Sequence, residues 1–214
     1  MRVVVIPVKS LAKAKSRLAP ILSPLERAAL TLAMLEDVLD AALAVPGWET
    51  WVVSPDEAVL EIAARRRARP VPEDKPPLSA AIRQLEEEAE HREASALAVL
   101  LGDLPLLTAP ELAEALRTLG PVVAAPSTDR DGTNLLVRRP PRVMPARFGK
   151  DSFHKHVEGA RLRGLPVAVT EAPGLVFDLD VPGDLPTVLR AANGGRTRQT
   201  CLELDLAGRL AVRT

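Results

Sequence analysis

"ALAVLLGDLPLL", residues 96–107, is the most apolar strand candidate in the chain, and it stops at Gly102 and Asp103. Strand-like runs alternate with helix-like runs on either side of it, which predicts an α/β fold with a mostly parallel, mixed sheet and helices on both faces. In open α/β sheets, ligands bind at the carboxyl ends of the strands. Asp103 is therefore a candidate site residue.

The same alternation predicts the other elements. Strands are expected at 3–8, 50–54, 122–127, 133–139, 166–172 and 174–181, with a short extended piece at 68–72. Helices are expected at 23–43, 56–68, 78–91, 108–119, 152–163 and 182–193. The first helix has the clearest start, because Ser23 is a good N-cap, Pro24 follows at the first helical position and Glu26 completes a capping box.

Residues 1–193 are expected to form one domain, followed by a tail at 194–214. The tail begins with flexible, basic residues and ends in an alternating pattern compatible with a small hairpin around Ala207 and Gly208. An exposed hairpin there could pair with a second subunit in a homodimer, and the alternative is a loose terminus.

Composition excludes several classes of protein. Lys plus Arg and Asp plus Glu number 28 each in the 214 residues, so no global field favours nucleic acid or an anionic membrane. Cys201 is the only cysteine, which excludes an internal disulfide framework and suits a reducing compartment. The apolar run after Arg2 is about six residues long, too short for a signal peptide or a membrane span. A cytoplasmic protein is expected.

The loop after the first strand carries Lys9, Lys13, Lys15 and Arg17 within nine residues. Lys9, Lys15 and Arg17 could hold a triphosphate whose charge a metal ion only partly neutralises. The alternative is a solvated basic turn, and Lys13 is assigned to that role.

A second constellation consists of carboxylates. Asp178 and Asp180 stand two apart on a predicted strand, so both are expected on the same face, where like charges are costly unless a cation lies between them. Together with Asp103 they would suit Mg²⁺, which prefers hard oxygen ligands. Taken alone, the Asp-x-Asp pair is better explained as a solvent-facing strand end, and Asp103 at the ligand edge is what favours the metal site.

A third anion site is predicted at "FGKDSFHKH", residues 148–156. Gly149 allows close backbone approach, and Ser152 opens a helix whose free N–H groups attract a phosphate or carboxylate. Thr133, in the turn "DGTN", can offer a hydroxyl to an oxyanion. An ordinary N-cap and an ordinary turn are the alternatives.

The sequence has only three histidines and one cysteine, so a Ser/His/Asp or Cys/His nucleophile is hard to assemble. His154 and His156 are two apart in a predicted helix, so they diverge and make a poor metal pair. Attack by an ionised phosphate oxygen on the α-phosphorus of a nucleoside triphosphate needs no strong base. Positioning and charge neutralisation would do most of the catalysis, with Asp103, Lys15 and Arg17 as the candidate catalytic residues.

Six ordered motifs resemble the 2-phospho-L-lactate/phosphoenolpyruvate guanylyltransferase family and cover residues 3 to about 192. They are IPVK with AKSRLAP (6–20), ER with AMLEDVL (26–39), GDLPLL (102–107), DGTNLL (131–136), FGKDSF with a later His (148–156) and FDLDVPGDL (177–185). The family is a branch of the MobA-like nucleotidyltransferases, which have a Rossmann-like nucleotide-diphospho-sugar transferase architecture, and it acts in biosynthesis of coenzyme F(420).

The resemblance implies GTP as donor, Mg²⁺, pyrophosphate release and a product that joins a three-carbon acid to GMP through a diphosphate. Carried over by position, it implies three groups of residues: Asp103, Asp178 and Asp180 as metal ligands, Thr133, Gly149 and Ser152 at the acceptor, and Lys9, Lys15 and Arg17 at the triphosphate. Ser79 stands where the family usually places a base-reading Asn, so a hydroxyl replaces an amide near the nucleobase.

Family acceptors are phosphoenolpyruvate, 2-phospho-L-lactate and 3-phosphoglycerate. The Arg, Ala and Pro bias is compatible with a bacterial source, for which phosphoenolpyruvate is expected. One alternative is a MobA-like enzyme that transfers another nucleotide to a sugar phosphate or a molybdopterin, although the first loop lacks the glycines of such enzymes. The other is a non-catalytic nucleotide-binding module, which would be expected to have lost one of the three aspartates.

Overall fold

The computed structural model describes residues 1–73, 78–192 and 195–211, and in them seven strands form one sheet. Their order across the sheet is β3-β2-β1-β4-β6-β5-β7. The strands are β1 (Arg2–Pro7), β2 (Glu49–Ser54), β3 (Arg69–Pro72), β4 (Ala96–Leu100), β5 (Val122–Pro126), β6 (Thr133–Arg138) and β7 (Val167–Val169).

One strand of the sheet runs against the others. β6 pairs antiparallel with both β4 and β5, whereas β1, β2, β3 and β4 pair in parallel and β5 pairs in parallel with β7. The predicted mixed, mostly parallel sheet is therefore confirmed. Because β6 is reversed, its first residue, Thr133, lies at the edge where β1 and β4 end.

Helices cover both faces of the sheet. They are α1 (Pro24–Leu43), α2 (Glu57–Arg65), α3 (Leu78–His91), α4 (Ala109–Arg117), α5 (Ser152–Arg161), α6 (Pro173–Val176), α7 (Leu185–Arg190), α8 (Gly195–Glu203) and α9 (Leu206–Ala211). Side chains of β1 alternate between the faces: Val4 and Ile6 share a core with α1, α2 and α4, and Val3 and Val5 share one with α3. α5 packs on the same face as α3, further along the sheet.

The predicted strand at 174–181 is wrong. Pro173 starts the one-turn helix α6, and residues 177–180 continue as extended chain outside the sheet. The segment is apolar because it is buried: Leu175 and Leu179 are both fully buried in the core. Its backbone makes isolated hydrogen bonds and not a strand ladder. For example, Leu179 N–H donates to Asp103 O at 3.2 Å.

The predicted hairpin around Ala207 and Gly208 is also wrong, because described residues 195–211 form α8 and α9. Asp37 of α1 caps α8 by accepting from Arg196 N at 2.8 Å and from Thr197 N at 2.9 Å. The apolar residues of the tail follow helical rather than strand spacing, and Cys201 and Leu206 are buried against α1 and α7. These residues therefore offer no hairpin edge to a second subunit.

Within the described residues, none of the helices combines the length and apolar character that crossing a membrane requires.

Candidate active site

A cavity of about 420 Å³ opens at the edge where β1 and β4 end and β6 begins. This volume is typical of a small-molecule site. Nine of the ten predicted site residues line it, namely Lys9, Lys15, Arg17, Asp103, Thr133, Gly149, Ser152, Asp178 and Asp180. The tenth, Ser79, is exposed in the first turn of α3 and is not among the lining residues, and the neighbouring residues 74–77 lie outside the described ranges.

Lys15 joins the carboxylates at the centre of the cavity. Its Nζ lies 2.7 Å from Asp103 Oδ2 and 2.8 Å from Asp180 Oδ1. Burial lowers the pKa of Lys15, but the two carboxylates outweigh burial and raise it above its ordinary value. The ammonium is therefore charged and occupies a position between two predicted metal ligands.

The loop after β1 turns sharply to bring Lys15 inward. Two single 3₁₀ turns, Leu11–Lys13 and Ser16–Leu18, flank Lys15, whose φ of 46° is in the left-handed region. Arg27 of α1 fixes the loop by donating from Nε to Ala14 O at 3.1 Å. As a result the Lys15 side chain is 8% exposed. The Arg17 side chain is 71% exposed, and its Nη1 makes a longer contact of 3.6 Å with Asp180 Oδ2.

The Asp178 to Asp180 segment reaches the cavity without being a strand. Leu179 points into the core, so the flanking carboxylates both lie on the cavity side, as the two-residue spacing predicted. Asp178 Oδ1 accepts from Thr128 N at 3.3 Å. Burial raises the pKa of Asp178, and the carboxylates of Asp103 and Asp180 raise it further.

The three carboxylates supply the hard oxygen ligands that a divalent cation such as Mg²⁺ prefers. Asp103 Oδ1 is buried without a hydrogen-bond partner, so one oxygen at the centre of the cavity is still to be satisfied. As the side chains stand, however, no three His, Cys, Asp or Glu residues in the described ranges are grouped at metal-ligand spacing. In this arrangement the Lys15 ammonium contacts both Asp103 and Asp180.

The cavity lining also includes hydroxyl groups. Thr133 and Ser152 are each 1% exposed, and Ser152 Oγ donates to Thr133 Oγ1 at 3.1 Å. Ser152 opens α5 as predicted, and the alternative of an ordinary Ser N-cap is wrong, because the N-cap is Asp151, with φ of 56°. The expected free amides are also absent at Ser152 and Phe153, whose N–H groups donate to the carbonyls of Gly149 and Asp131.

Two turns hold these hydroxyls in place. Ser127 Oγ accepts from Gly132 N at 2.7 Å, which leaves no room for a Cβ at Gly132 and closes the turn before β6. Asp151 N donates to Asp131 Oδ1 at 3.1 Å, so this turn is tied to the start of α5. Gly149, with φ of 117°, permits the sharp bend that precedes the helix.

Sequence reasoning missed two residues of the site. Lys13, assigned to a solvated turn, lines the cavity. His156, set aside as a diverging histidine, is fully buried and contacts Thr133, with Nδ1 2.9 Å from Thr133 Oγ1. The i to i+4 spacing of Ser152 and His156 was the available signal, because it places both on one face of α5.

Comparison with known proteins gives concordant results. The family model described as "Guanylyl transferase CofC like" matches residues 1–208. A phosphoenolpyruvate guanylyltransferase of Rubrobacter xylanophilus is 41% identical over 194 residues, 89% of this chain and 94% of that protein. A 3-phospho-D-glycerate guanylyltransferase of Phenylobacterium zucineum is 41% identical over 199 residues, 89% of this chain and 91% of that protein.

Solved structures agree on the fold. A protein of Desulfovibrio desulfuricans, described as a nucleotide-diphospho-sugar transferase, superposes with a TM-score of 0.82 at 18% identity, covering 98% of this chain and 99% of that one. A protein of Mycobacterium tuberculosis solved in complex with manganese has a TM-score of 0.55 at 17% identity, covering 90% of this chain and 100% of that one.

Proposed function

Because the chain belongs to the family of CofC-like guanylyl transferases, and so is a nucleotidyltransferase, we propose that it transfers GMP from GTP to the phosphate of a three-carbon phospho-acid. Pyrophosphate is released, and the family implies a role in coenzyme F(420) biosynthesis. Phosphoenolpyruvate is the acceptor we favour, as in the name of the Rubrobacter relative, with 3-phosphoglycerate and 2-phospho-L-lactate as the alternatives.

One observation carries this proposal. The lining of the cavity combines cations and carboxylates, around Lys15 and Asp103, with buried hydroxyls at Thr133 and Ser152. A triphosphate needs positive charge and a divalent ion, whereas a small phospho-acid needs neutral donors close to its anionic oxygens. The arrangement therefore supports two substrates bound side by side.

On the nucleotide side, we assign the triphosphate to the exposed cations of the first loop. Lys9, Lys13 and Arg17 line the cavity with exposed side chains and can bend towards the phosphates. We assign Asp103, Asp178 and Asp180 to Mg²⁺, because the set contains only hard oxygen ligands and includes the unpartnered Asp103 Oδ1. The bound ion would neutralise charge on the triphosphate oxygens.

The chemistry then requires no general base. An acceptor phosphate oxygen, already ionised near neutral pH, forms a bond to the α-phosphorus of GTP. The bond from the α-phosphorus to the bridging oxygen breaks, and pyrophosphate leaves with that electron pair. Lys15 and Arg17 stabilise the negative charge that accumulates as the leaving group departs, and the hydroxyls of Thr133 and Ser152 hold the acceptor in line.

The guanine preference is proposed from the family alone, because Ser79, at the start of α3, has a hydroxyl where the family usually has an amide and is not among the residues that line the cavity. Reaction in the cytoplasm is expected, because phospho-acids and GTP are available there and Cys201 is a buried free thiol.

The test is pyrophosphate release from GTP and Mg²⁺ with each of the three acids in parallel, with ATP, CTP and UTP as nucleotide controls. We expect release with GTP and one acid, and silence with all three acids would refute the proposal. Ser152→Ala should raise the acceptor KM about tenfold with little change for GTP. Ser95→Ala, at the exposed opposite end of β4, is the matched control.

A further inference from the structure

His156 lies directly behind the hydroxyl pair of the cavity. It is fully buried on α5, one turn after Ser152, and the ring of Phe148 packs edge-on against it with centroids 5.1 Å apart. Both ring nitrogens have a partner: Nε2 accepts from Arg147 N at 2.7 Å, and Nδ1 is 2.9 Å from Thr133 Oγ1. The imidazole therefore connects the backbone before α5 to a residue of the cavity.

These partners fix where the imidazole carries its hydrogen. A backbone N–H can only donate, so Nε2 must present its lone pair to Arg147. Burial lowers the pKa of His156 to about 3, with smaller contributions from the charges of Arg138 and Arg147, so the ring is neutral near pH 7. A neutral ring with a bare Nε2 carries its hydrogen on Nδ1, and His156 donates to Thr133 Oγ1.

The position of the hydrogen on His156 determines whether the Thr133 and Ser152 hydroxyls keep a hydrogen for a ligand. Nδ1–H and the hydroxyls of Thr133 and Ser152 supply three hydrogens, and two are used in the contacts from His156 to Thr133 and between Thr133 and Ser152. One hydroxyl hydrogen remains, and both hydroxyls border the cavity. The opposite tautomer would consume the Thr133 hydrogen at Nδ1 and the Ser152 hydrogen at Thr133, which would leave none for a ligand.

We propose that His156 is a positioning residue for acceptor binding: it keeps one hydroxyl hydrogen of the Thr133 and Ser152 pair free for an anionic oxygen of the phospho-acid. This inference rests on the proposed function. His156 does not touch the substrates, and it acts through Thr133 by donating rather than accepting.

Two substitutions separate the donor of His156 from its acceptor. The amide nitrogen of Asn occupies the place of Nδ1, so His156→Asn can still donate to Thr133. The amide oxygen of Gln reaches the place of Nε2, so His156→Gln can still accept from Arg147 but loses the donor at Thr133. His154→Gln, exposed on the same helix, is the control.

Steady-state kinetics with pyrophosphate detection should give a selective result. We expect His156→Gln to raise the acceptor KM about tenfold with the KM for GTP changed by less than about twofold, and His156→Asn to stay within about threefold of the wild type for both. A merely structural role would affect the two variants and the two substrates alike, and that outcome, or an unchanged acceptor KM in His156→Gln, would overturn the inference.

A spectroscopic measurement on the wild type needs no variant to fold. The ¹⁵N shifts of the imidazole at pH 7, assigned by the signal lost in His156→Asn or by its protection from solvent among the three histidines, should show hydrogen on Nδ1 and a bare Nε2. An imidazolium, or hydrogen on Nε2, would overturn the inference. Absence of turnover by the wild type would instead refute the proposed function, and this inference with it.

Discussion

Lys15 Nζ lies 2.7 Å from Asp103 Oδ2, although 88 residues separate the two in the chain. The same ammonium reaches Asp180 Oδ1 at 2.8 Å, so one lysine bridges two carboxylates and offsets the charge of one of them. A divalent ion bound by Asp103 and Asp180 would draw on the same two carboxylates, of which Asp103 Oδ1 is free of the lysine. Lys15 and the proposed metal ion would therefore compete for these carboxylates.

Lys15→Met should bind Mn²⁺ more tightly than the wild type and react more slowly. The variant loses the two charge-assisted hydrogen bonds that compete with the ion, each worth about 1.5–3 kcal/mol, so we expect at least about tenfold higher affinity. Turnover should fall roughly a hundredfold, because charge stabilisation during phosphate departure is lost. Calorimetric titration with Mn²⁺ measures the first effect, Lys155→Met is the surface control, and unchanged Mn²⁺ affinity would contradict the competition.

Asp103→Asn and Asp180→Asn should each lower Mg²⁺-dependent turnover by roughly a hundredfold or more while the fold is kept. Each change removes a proposed metal ligand and a charged partner of Lys15 but preserves side-chain size. Asp40→Asn, which alters only a surface ion pair with Arg66 and Arg196, is the matched control. A double variant of Asp103 and Asp180 with full activity would remove the metal site from this account.

The stability of the protein should fall at acid pH through His156. Its pKa is about 3 in the folded state and 6.5 ordinarily, so between these values the unfolded chain binds a proton that the folded chain does not. The free energy of unfolding should therefore decrease by up to about 1.4 kcal/mol for each pH unit below 6.5, and the decrease should level off near pH 3.

Urea unfolding of the wild type and of His156→Asn across pH 7 to 4 isolates this contribution. Other groups titrate in the same window, so the difference between the two proteins is the quantity to compare. The difference should shrink as the pH falls, and His154→Asn should run parallel to the wild type. A constant difference between wild type and His156→Asn would show that the imidazole binds protons equally in the folded and unfolded chains, and would contradict the lowered pKa.

The buried ion pair between Arg138 and Glu86 should be costly to break. Arg138 Nη1 lies 2.6 Å from Glu86 Oε1, with side chains 0% and 8% exposed. Glu86→Gln leaves the guanidinium charge buried without its counter-ion, which should cost about 3–5 kcal/mol of unfolding free energy. Glu90→Gln breaks the exposed pair with Arg142 one turn later on α3, and should cost less than about 1 kcal/mol. Equal costs in chemical denaturation would contradict the burial argument.

The thiol of Cys201 should report whether the tail is docked. Burial raises its pKa to about 11, so at pH 8 the native protein should react with a thiol reagent far more slowly than the unfolded chain. Thr197→Ala removes the 2.6 Å hydrogen bond from Thr197 Oγ1 to Asp37 and should speed labelling several-fold by loosening α8. Thr118→Ala, at the half-buried C-cap of α4, is the control, and fast labelling of the native protein would indicate a loose terminus.

Much of the fold followed from the sequence, because alternating apolar runs and helix caps are local signals. The capping box at Ser23 and Glu26 is present as predicted, and β4 ends where Asp103 enters the site. The wrong predictions concern segments whose structure depends on tertiary contacts. The apolar residues around Leu179 indicate burial, which the sequence pattern could not distinguish from pairing in a sheet, and the tail became helical because Asp37, 160 residues away from Thr197, caps it.

The site residues also divide into those indicated by local sequence signals and those that depend on tertiary contacts. Residue types at strand ends identified the lining of the cavity, since parallel strands bring their carboxyl ends to one edge. Contacts between distant residues were not predictable: the ammonium of Lys15 between two carboxylates depends on a left-handed turn, and the role of His156 depends on a backbone amide nine residues before it.

The reversed direction of β6 has a consequence for how this family can diversify. β6 begins at Thr133 and lies beside β4, which ends just before Asp103. Leu101 N donates to Asn134 O at 2.9 Å, so a backbone hydrogen bond joins the two parts of the site. The turn before Thr133, residues 127–132, contacts both parts of the site: Gly132 N donates to Ser127 Oγ just before Thr133, and Thr128 N donates to Asp178 Oδ1. Substitutions in this turn that move the hydroxyl pair should therefore also move Asp178, so relatives that diverge here are expected to change both parts of the site together.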